Sequence, residues 1–420
     1  MECSTILAEM QVSSEAEGVT AESLYEALKC VKDQRSRRGK QYSAAVVLTL
    51  LVLAKLAGQV KLKGIAEWVK WHAETLTERL PLYRGKVPCA NTYRYVSDHI
   101  DVAELNAVLG EYFAALTSKP TPTVLPMEAE VAEVAPPAGE RTHLALDGKS
   151  MRGTRRGGEA SKAAVHTVGL YNVTASFMWK QQAVEGKGQE RKAAMQLIEP
   201  LQFNGSVVSA DALHTQPKWA QAVLDRGGDY LLIAKRNQSE LRDAIALVFS
   251  QPRRPRLFPE GEARSVDKGH GRLEIRHLRV SSELSEYLAP RWPQVAQVFQ
   301  IERTITRHGK TTHELVYGLT SLTAQEASPA YLLTLVRRHW HIENRAHWRR
   351  DVTLGEDACR VNVGQVPQVL AALNNCVLAI VDFLQHPNLA AATRFFSARP
   401  QTALDLLLLP LSRFDSTLFV

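Results

Sequence analysis

Two aspartates each follow a short stretch that is typical of a buried strand. Asp147 comes directly after residues 143–146, and Asp211 comes directly after residues 207–210. Each aspartate is therefore predicted to stand where a strand ends. Carboxylate oxygens are ligands that hard cations such as Mg²⁺ and Mn²⁺ prefer. Two such ions, about 3.5–4 Å apart, can activate an attacking oxygen and stabilise a leaving one, so these residues suit phosphodiester cleavage.

A third acid, Glu343, lies in the segment 337–351, which contains five arginines and two tryptophans. We predict a helix over 330–351, on which His339, Glu343 and His347 are spaced by four residues and share a face. An acid among cationic groups suits a metal ligand beside a phosphate. The arginines and tryptophans suit contacts to phosphates and stacking on bases.

Each of these features also has a purely structural interpretation. Asp147 with Gly148 could form a β-turn, and Asp211 could cap the helix that follows it. The arginines of the segment 337–351 could be solvated, and its tryptophans could belong to the core. The sequence alone leaves these alternatives open for each residue taken singly.

The histidines offer a different chemistry. His339, His341 and His347, with Asp211 or His214, contain the ligand types of a zinc hydrolase. However, His339 and His341 are two residues apart and would point to different sides of a helix. The sequence therefore favours the acids as the metal ligands.

The elements that would position the acids form a recognisable order between residues 142 and 249. Strands are predicted at 143–146, 165–171, 176–184, 207–210 and 230–234, and helices at 190–201, 216–226 and 239–249. This order matches the α/β ribonuclease H-like fold, in which the first and fourth strands end beside each other. Such a core would bring Asp147 and Asp211 together.

The remaining segments differ in composition and are predicted to be separate parts. We predict a helical N-terminal domain at 1–118 and a linker rich in Ala, Glu, Val and Pro at 119–141. The ribonuclease H-like catalytic core would comprise 142–249 and 331–365, interrupted by a β-rich insertion at 250–330. A helical C-terminal part would follow at 366–420.

The overall composition is compatible with a polyanionic partner. The formal net charge is +7, and the isoelectric point is about 9.1. The five cysteines are scattered and form no CxxC pair, which fits a reducing cytosol and indicates neither a disulfide framework nor a zinc knuckle. The longest apolar stretch, 44–54, is too short to span a bilayer. We therefore expect a cytoplasmic protein without a membrane partner.

Five motifs, in order along the chain, resemble those of the ISAs-type insertion-sequence transposases, also called H-repeat-associated proteins. They are LDGKSMRG at 146–153, DALHTQ at 211–216, GDY with KRNQ at 228–238, GHGRLEIR at 269–276, and RHWHIEN with HW, DV and ED at 338–357. The segments 33–35 and 42–68 also resemble the helical domain that precedes the catalytic region in this group. The resemblance therefore covers most of the chain.

This resemblance implies a DDE transposase, which cuts and joins DNA with Mg²⁺ or Mn²⁺ held by an acid triad. By position, Asp147 and Asp211 match the two aspartates, and Glu343 matches the glutamate. The implied partners are the DNA ends of the mobile element and the target DNA. Because two ends are joined, the resemblance also implies a homo-oligomer on DNA. The nearby carboxylates that could replace Glu343 are Asp351, Glu356 and Asp357.

Ten residues of these motifs are predicted to contact DNA, because their side chains can bind phosphates, stack on bases or donate hydrogen bonds. They are Lys149, Arg152, Lys235, His270, Arg272, Arg338, Trp340, Asn344, His347 and Arg350.

The chain departs from its relatives at two places. Related transposases carry a Tyr, Arg, Glu, Lys signature on the last helix, and this chain keeps only Glu343, with a cation at the last position. The corresponding residues are Val336, His339, Glu343 and Arg350. The segment 187–190 also replaces the usual Lys-Ser-Asn-Glu. Two alternatives stay open: a solitary or domesticated metal-dependent DNA nuclease, and a non-catalytic DNA-binding protein, against which the three acids argue.

Overall fold

A nine-stranded sheet runs through the computed structural model, which describes residues 23–36, 40–117, 141–155, 163–184, 186–250, 260–269, 271–386 and 388–419. The strands are β1 (Thr142–Met151), β2 (Val165–Asn172), β3 (Phe177–Val184), β4 (Ser206–Ala210), β5 (Asp229–Ala234), β6 (Glu260–Gly269), β7 (Arg272–Ser281), β8 (Gln297–Arg307) and β9 (Lys310–Thr320). Across the sheet they lie in the order β3-β2-β1-β4-β5-β9-β8-β7-β6.

The adjacent strands β1, β4 and β5 are parallel to one another, and all other neighbouring strands are antiparallel. β4 is buried along its whole length, as is usual for a parallel strand that is covered on both faces. The chain is therefore mixed α/β, and β6–β9 extend the same sheet as β1–β5.

β1 is longer than the sequence pattern indicates. The stretch 143–146 predicts a strand that ends before Asp147, but β1 continues to Met151. The pairing with β4 stops at Leu146 and Ala210, whereas the pairing with β2 goes on from Asp147 to Met151. Asp147 is thus inside the strand, at the point where the parallel pairing ends.

The helices surround this sheet. They are α1 (Leu24–Lys29), α2 (Ala44–Leu56), α3 (Leu62–Trp71), α4 (Ala73–Arg79), α5 (Ala90–Asp98), α6 (Val102–Thr117), α7 (Glu190–Ile198), α8 (Pro217–Leu224), α9 (Ser239–Ser250), α10 (Ser285–Leu288), α11 (Pro329–His339), α12 (Trp348–Val352), α13 (Val366–Phe383), α14 (Leu389–Ala398) and α15 (Pro400–Leu408).

Each face of the sheet has its own hydrophobic core, because alternate residues of a strand point to opposite faces. Leu144 and Leu146 pack with α7, α8 and α9 on the face that we call face A. Ala145 lies on the opposite face, face B, with the N-terminal and C-terminal helices. Further along face B, Leu278 and Ile301 pack against α11.

The N-terminal and C-terminal helices share one core. All 13 residues of α2 are buried, and its side chains belong to the same cluster as those of α13, α14 and α15. Within the described ranges, α13 alone is long and apolar enough to cross a membrane, and 83% of it is buried inside the protein. It is therefore placed as a core helix.

The prediction of one helix over 330–351 is wrong at its centre. α11 ends at His339, and a π-helical turn, Ile342–His347, precedes α12. A π-helical turn holds more residues than an α-helical turn, so residues on its two sides no longer share the face that a continuous helix gives them. Turns of this kind are frequent at functional sites.

A buried polar junction connects α12 with the helical region. Arg350 is fully buried and donates hydrogen bonds of 2.9 and 2.7 Å to the carboxylate of Glu356. Asn374 donates to the same carboxylate at 2.8 Å, and Lys55 Nζ donates to Asn374 Oδ1 at 2.7 Å. This burial contradicts the expectation that Arg350 contacts a DNA phosphate, because its guanidinium is enclosed and already paired.

Glu356→Gln is expected to lower the free energy of unfolding by about 3–5 kcal/mol, because Arg350 would keep a buried charge without a counter-charge. Urea unfolding of the wild type and the variant measures this difference. The double variant Arg350→Met, Glu356→Leu removes both charges and is expected to lose clearly less. A loss below about 1 kcal/mol for the single variant, as for an exposed pair, would contradict the buried junction.

Candidate active site

Asp147 and Asp211 occupy neighbouring positions at the end of the parallel pairing. Their preceding residues, Leu146 and Ala210, are paired in register, and adjacent strands lie about 4.8 Å apart. The backbone N–H of Gly148 donates to Asp147 Oδ1 at 2.8 Å, and the N–H of Leu213 donates to Asp211 Oδ1 at 3.0 Å. The strand register thus brings the two predicted aspartates side by side.

The π-helical turn brings Glu343 to Asp147 on face B. His347 Nδ1 lies 3.0 Å from Glu343 Oε2 and 3.5 Å from Asp147 Oδ2. Within the described part of the chain, Asp147, Glu343 and His347 are the one group of three or more potential ligands whose donor atoms all lie within 4.8 Å of one another. Asp211 is a neighbour of this group but not a member of it.

The acids repel one another electrostatically. Burial is the main reason why the pKa of Asp147 is raised to about 7. The N–H of Gly148 lowers this pKa, whereas the charges of Asp211, Glu343 and Glu190 raise it further. A divalent cation would relieve this repulsion, and carboxylates are the donors that Mg²⁺ and Mn²⁺ prefer. The residues present therefore fit a divalent metal.

His347 has a different environment from the one predicted. The sequence indicates a DNA contact, but His347 is buried and its ring lies between two acids. Burial lowers its pKa although the hydrogen bond to Glu343 opposes this, so the ring is neutral near pH 7 and Nδ1–H can donate to Glu343. The same hydrogen bond is the main cause that lowers the pKa of Glu343. The spacing of four residues was the signal for this contact.

His339 does not join this group, contrary to the shared face that the sequence predicts. Its Nδ1 lies 2.9 Å from Ser209 Oγ, and the same hydroxyl lies 2.7 Å from His143 Nε2. Burial lowers the pKa of His339 to about 4, so it is neutral. The π-helical turn separates it from Glu343. Among the described residues, the histidines that the zinc interpretation needs form no common ligand group.

Glu190 is a buried residue that the sequence pattern did not identify. Its carboxylate lies 2.7 Å from His166 Nε2 and 3.3 Å from His214 Nε2. Burial raises the pKa of Glu190, but hydrogen bonds and charges of the two histidines outweigh it and bring the pKa to about 2.

The position of Glu190 connects it to both aspartates. A Cβ atom on Gly148 would lie 2.5 Å from Glu190 Oε1, so the residue after Asp147 must be glycine for this carboxylate to fit. His214 belongs to the turn that begins at Asp211, since its N–H donates to the Asp211 carbonyl at 3.1 Å. The only sequence signal was the segment 187–190, noted through the resemblance.

The other predicted DNA contacts are distributed unevenly. Lys149 is buried, and its Nζ lies 2.6 Å from Asp351, so it is not open to a phosphate. Arg338 is half-buried. His270 lies outside the described residues. Those that are exposed are Arg152, Lys235, Arg272, Trp340 and Asn344.

The alternative third acids all have partners. Asp351 accepts from Lys149, and Glu356 is enclosed with Arg350. Asp357 accepts from the backbone N–H of Arg152 at 2.9 Å. Glu343 is thus the acid of the segment 343–357 that lies beside Asp147.

Two family models match this chain. The model described as "Transposase DDE domain" matches residues 138–378, which is more than half of the chain. A second model, described as "DDE_Tnp_1-associated", matches residues 25–113.

Bacterial relatives match this chain over most of their own length. The "H repeat-associated putative transposase YhhI" of Escherichia coli strain K12 is 25% identical over 85% of this chain and 90% of its own length. YbfL of the same strain shows the same identity and coverage. A protein from the dhlA 3′ region of Xanthobacter autotrophicus is 28% identical over 69% of this chain and 91% of its own length.

A solved structure of the piggyBac transposase synaptic complex with hairpin DNA covers 88% of this chain and 75% of its own, at 9% identity. Its TM-score of 0.41 is too low to support a conclusion. The family models confirm the resemblance seen in the motifs. The chain therefore belongs to the DDE transposase family of insertion sequences, whose members cleave DNA and transfer its strands.

Proposed function

We propose that Asp147, Asp211 and Glu343 are the acid triad with which this transposase holds Mg²⁺ or Mn²⁺ and cuts and joins DNA. The observation that carries this proposal is the register of β1 with β4, which ends with the two aspartates in neighbouring positions. Glu343 is added by the π-helical turn, through the contacts of His347 to both Glu343 and Asp147.

We further propose that β1–β5 with α7–α9 and α11–α12 form a ribonuclease H-like core. The strand order β3-β2-β1-β4-β5, with β1–β3 antiparallel and β1, β4 and β5 parallel, supports this assignment. The core would comprise 142–249 and 331–365, as the sequence predicts. The segment 250–330 would then be an insertion that lengthens the core sheet through β9.

The reaction would proceed in two steps on DNA. Water attacks a phosphodiester at the element end, and the departing oxygen becomes a 3′-hydroxyl. That hydroxyl then attacks a phosphodiester of the target, so one bond forms as another breaks. When bound, the cations would activate the attacking oxygen and stabilise the leaving one. Because no protein nucleophile is consumed, the same acids serve both steps.

The side chains around the triad would hold its oxygens in place. The His347 ring donates to Glu343, which fixes that carboxylate toward Asp147. The amides of Gly148 and Leu213 orient the two aspartates. Glu190 joins the strand that carries Asp147 to the turn after Asp211, and we propose it as a positioning residue.

The assembly and location of the protein follow from this reaction. Joining two element ends in one event requires at least two copies of the chain on DNA, so a homo-oligomer is proposed for the DNA complex. The substrate of such an element in a bacterial cell is in the cytoplasm, and we propose that the protein acts there.

Asp147→Asn is expected to lower metal-dependent DNA cleavage at least about 100-fold, because even residues that only support a metal ligand contribute 10–100-fold. Gel analysis of an end-containing duplex measures cleavage, and a gel-shift assay without metal measures binding, which should stay near wild type. Asp225→Asn, on an exposed surface, is the matched control and should cleave normally. Full cleavage by Asp147→Asn would remove Asp147 from the triad.

Glu343→Gln is expected to abolish cleavage in the same assay, whereas Asp357→Asn should retain it within about tenfold, because only Glu343 lies beside Asp147. Mn²⁺ is titrated into the metal-free protein, and the electron paramagnetic resonance signal of the free ion measures how much stays unbound. Glu343→Gln should bind Mn²⁺ more weakly than the wild type. If Asp357→Asn lost cleavage and Glu343→Gln retained it, Asp357 would be the third acid of the triad instead of Glu343.

Glu190→Gln is expected to reduce cleavage about 10–100-fold with unchanged DNA affinity, as for a residue that supports metal ligands. It should also change the dependence of stability on pH. The pKa of Glu190 is lowered to about 2, so its ionised form stabilises the fold above pH about 4.5, and this stability is lost as the pH falls toward 2.

The difference in unfolding free energy between wild type and Glu190→Gln should therefore shrink over this acid range. A constant difference from pH 6 to about pH 3 would show that Glu190 does not hold the lowered pKa on which this role rests.

A further inference from the structure

The outer parts of β6–β9 form an arm beyond the hydrophobic core. Ile301 and Leu278 are the last buried apolar residues of β8 and β7 toward this end. Beyond them, residues 303–306 are half-buried, and residues 307–315 are exposed. We call residues 264–269, 271–276 and 303–314 the distal arm. It is held together by the pairing of all four strands.

The distal arm projects from the edge of the sheet that carries the candidate active site. Gly318 of β9 pairs with Ile233 of β5, one position beyond the level at which β4 ends. From there β9, which is antiparallel to β5, extends past the carboxyl ends of the parallel strands. Lys310 is eight residues from Gly318, which places it roughly 27 Å beyond the level of Asp211.

Three cations form one row across the end of the arm. Arg272 pairs with Arg307, and Arg307 pairs with Lys310, so the three residues lie side by side on adjacent strands. Strands are spaced by about 4.8 Å, so the row spans about 10 Å. Residues paired directly across strands point to the same face, and all three are exposed.

The row lies on face B, as do the candidate catalytic acids. Arg307 and Ile301 are an even number of residues apart on β8, so their side chains point to the same face, on which Ile301 packs under α11. Asp147 is two residues from Ala145 on β1, so its side chain points to the same face B. At the end of α11, Arg337 contacts Asp267 of the arm at 2.9 Å, and the chain then continues directly into the turn that carries Glu343.

The acids on this face of the arm are already neutralised. Glu274 is fully buried among Arg272, Arg276 and Arg303. Asp267 is paired with Arg276 and with Arg337 of α11, and Glu314 is paired with Arg303 at 3.4 Å. In contrast, Arg307 and Lys310 have no ion pair within the parts of the chain that the structure describes. The end of the arm therefore presents surplus positive charge on the side of the acids.

We propose that Arg272, Arg307 and Lys310 bind the DNA backbone roughly eight base pairs from the bond that is cut, given about 3.4 Å per base pair. This inference rests on the proposed function. Charge complementarity favours DNA, since the row carries surplus positive charge on an exposed surface. Contacts of this kind position the duplex and do not read its sequence.

The test replaces the two unpaired cations with neutral residues of similar size, Arg307→Gln with Lys310→Gln. The matched control is Arg264→Gln with Lys268→Gln, which removes the same charge from face A of the same arm. Fluorescence anisotropy with a DNA duplex of several helical turns, without metal, gives the affinity between about 50 and 200 mM salt.

The slope of log affinity against log salt is expected to fall by about two for the face B variant, because each phosphate contact contributes about 0.9. The control should keep the wild-type slope. Arg307→Lys with Lys310→Arg keeps both charges and should also keep the slope, which separates loss of charge from loss of fold. Neutral methylphosphonate linkages roughly eight base pairs from the cut should weaken the wild type but not the face B variant.

An unchanged slope in the face B variant, or an equal loss in the control, overturns the inference. A change in oligomeric state with an unchanged DNA slope also overturns it, in favour of a second copy of the chain as the occupant. None of these results bears on the acid triad, because no cleavage is read. Conversely, full cleavage by Asp147→Asn would refute the triad and leave the binding result valid.

Discussion

The end of the parallel pairing between β1 and β4 is the constraint on which the site depends. Up to Leu146 and Ala210, the two strands are paired in register, and residues 143–146 and 206–210 are buried. After that point β4 turns away, and β1 is left paired only to β2. Asp147 and Asp211 are the residues that directly follow the last paired positions.

The electrostatics of the site follow from this placement. Burial is the main cause that raises the pKa of Asp147, and the repulsion between the acids that share this site raises it further. Neighbouring cationic and hydrogen-bond-donating side chains offset part of the repulsion between the acids. The hydrogen bond from His347, and to a smaller extent the charge of Lys149, lower the pKa of Glu343, and two histidines bind Glu190. The remaining repulsion would be relieved by a bound divalent cation, which is the condition that a metal-dependent enzyme needs.

The sequence predicted the central elements well, because strands and helices between 142 and 249 carry clear periodicities. It could not predict the π-helical turn, since one additional residue in a turn leaves the composition of the segment unchanged. Arg350 was assigned to the surface because arginine is almost never fully buried unless it is paired, and its partner Glu356 could not be recognised. Glu190 was missed because both of its histidines are 24 residues away along the chain.

The shared core of the N-terminal and C-terminal helices limits how this protein can be taken apart. The predicted boundaries suggest a modular chain, in which the first helices are a cassette beside a catalytic unit. Yet α2 is enclosed by α13–α15, and Lys55 of α2 ends a chain of hydrogen bonds that begins at Arg350. An exchange of N-terminal helices between relatives would therefore also require the matching C-terminal helices. The core side chains of these two distant segments are expected to change together.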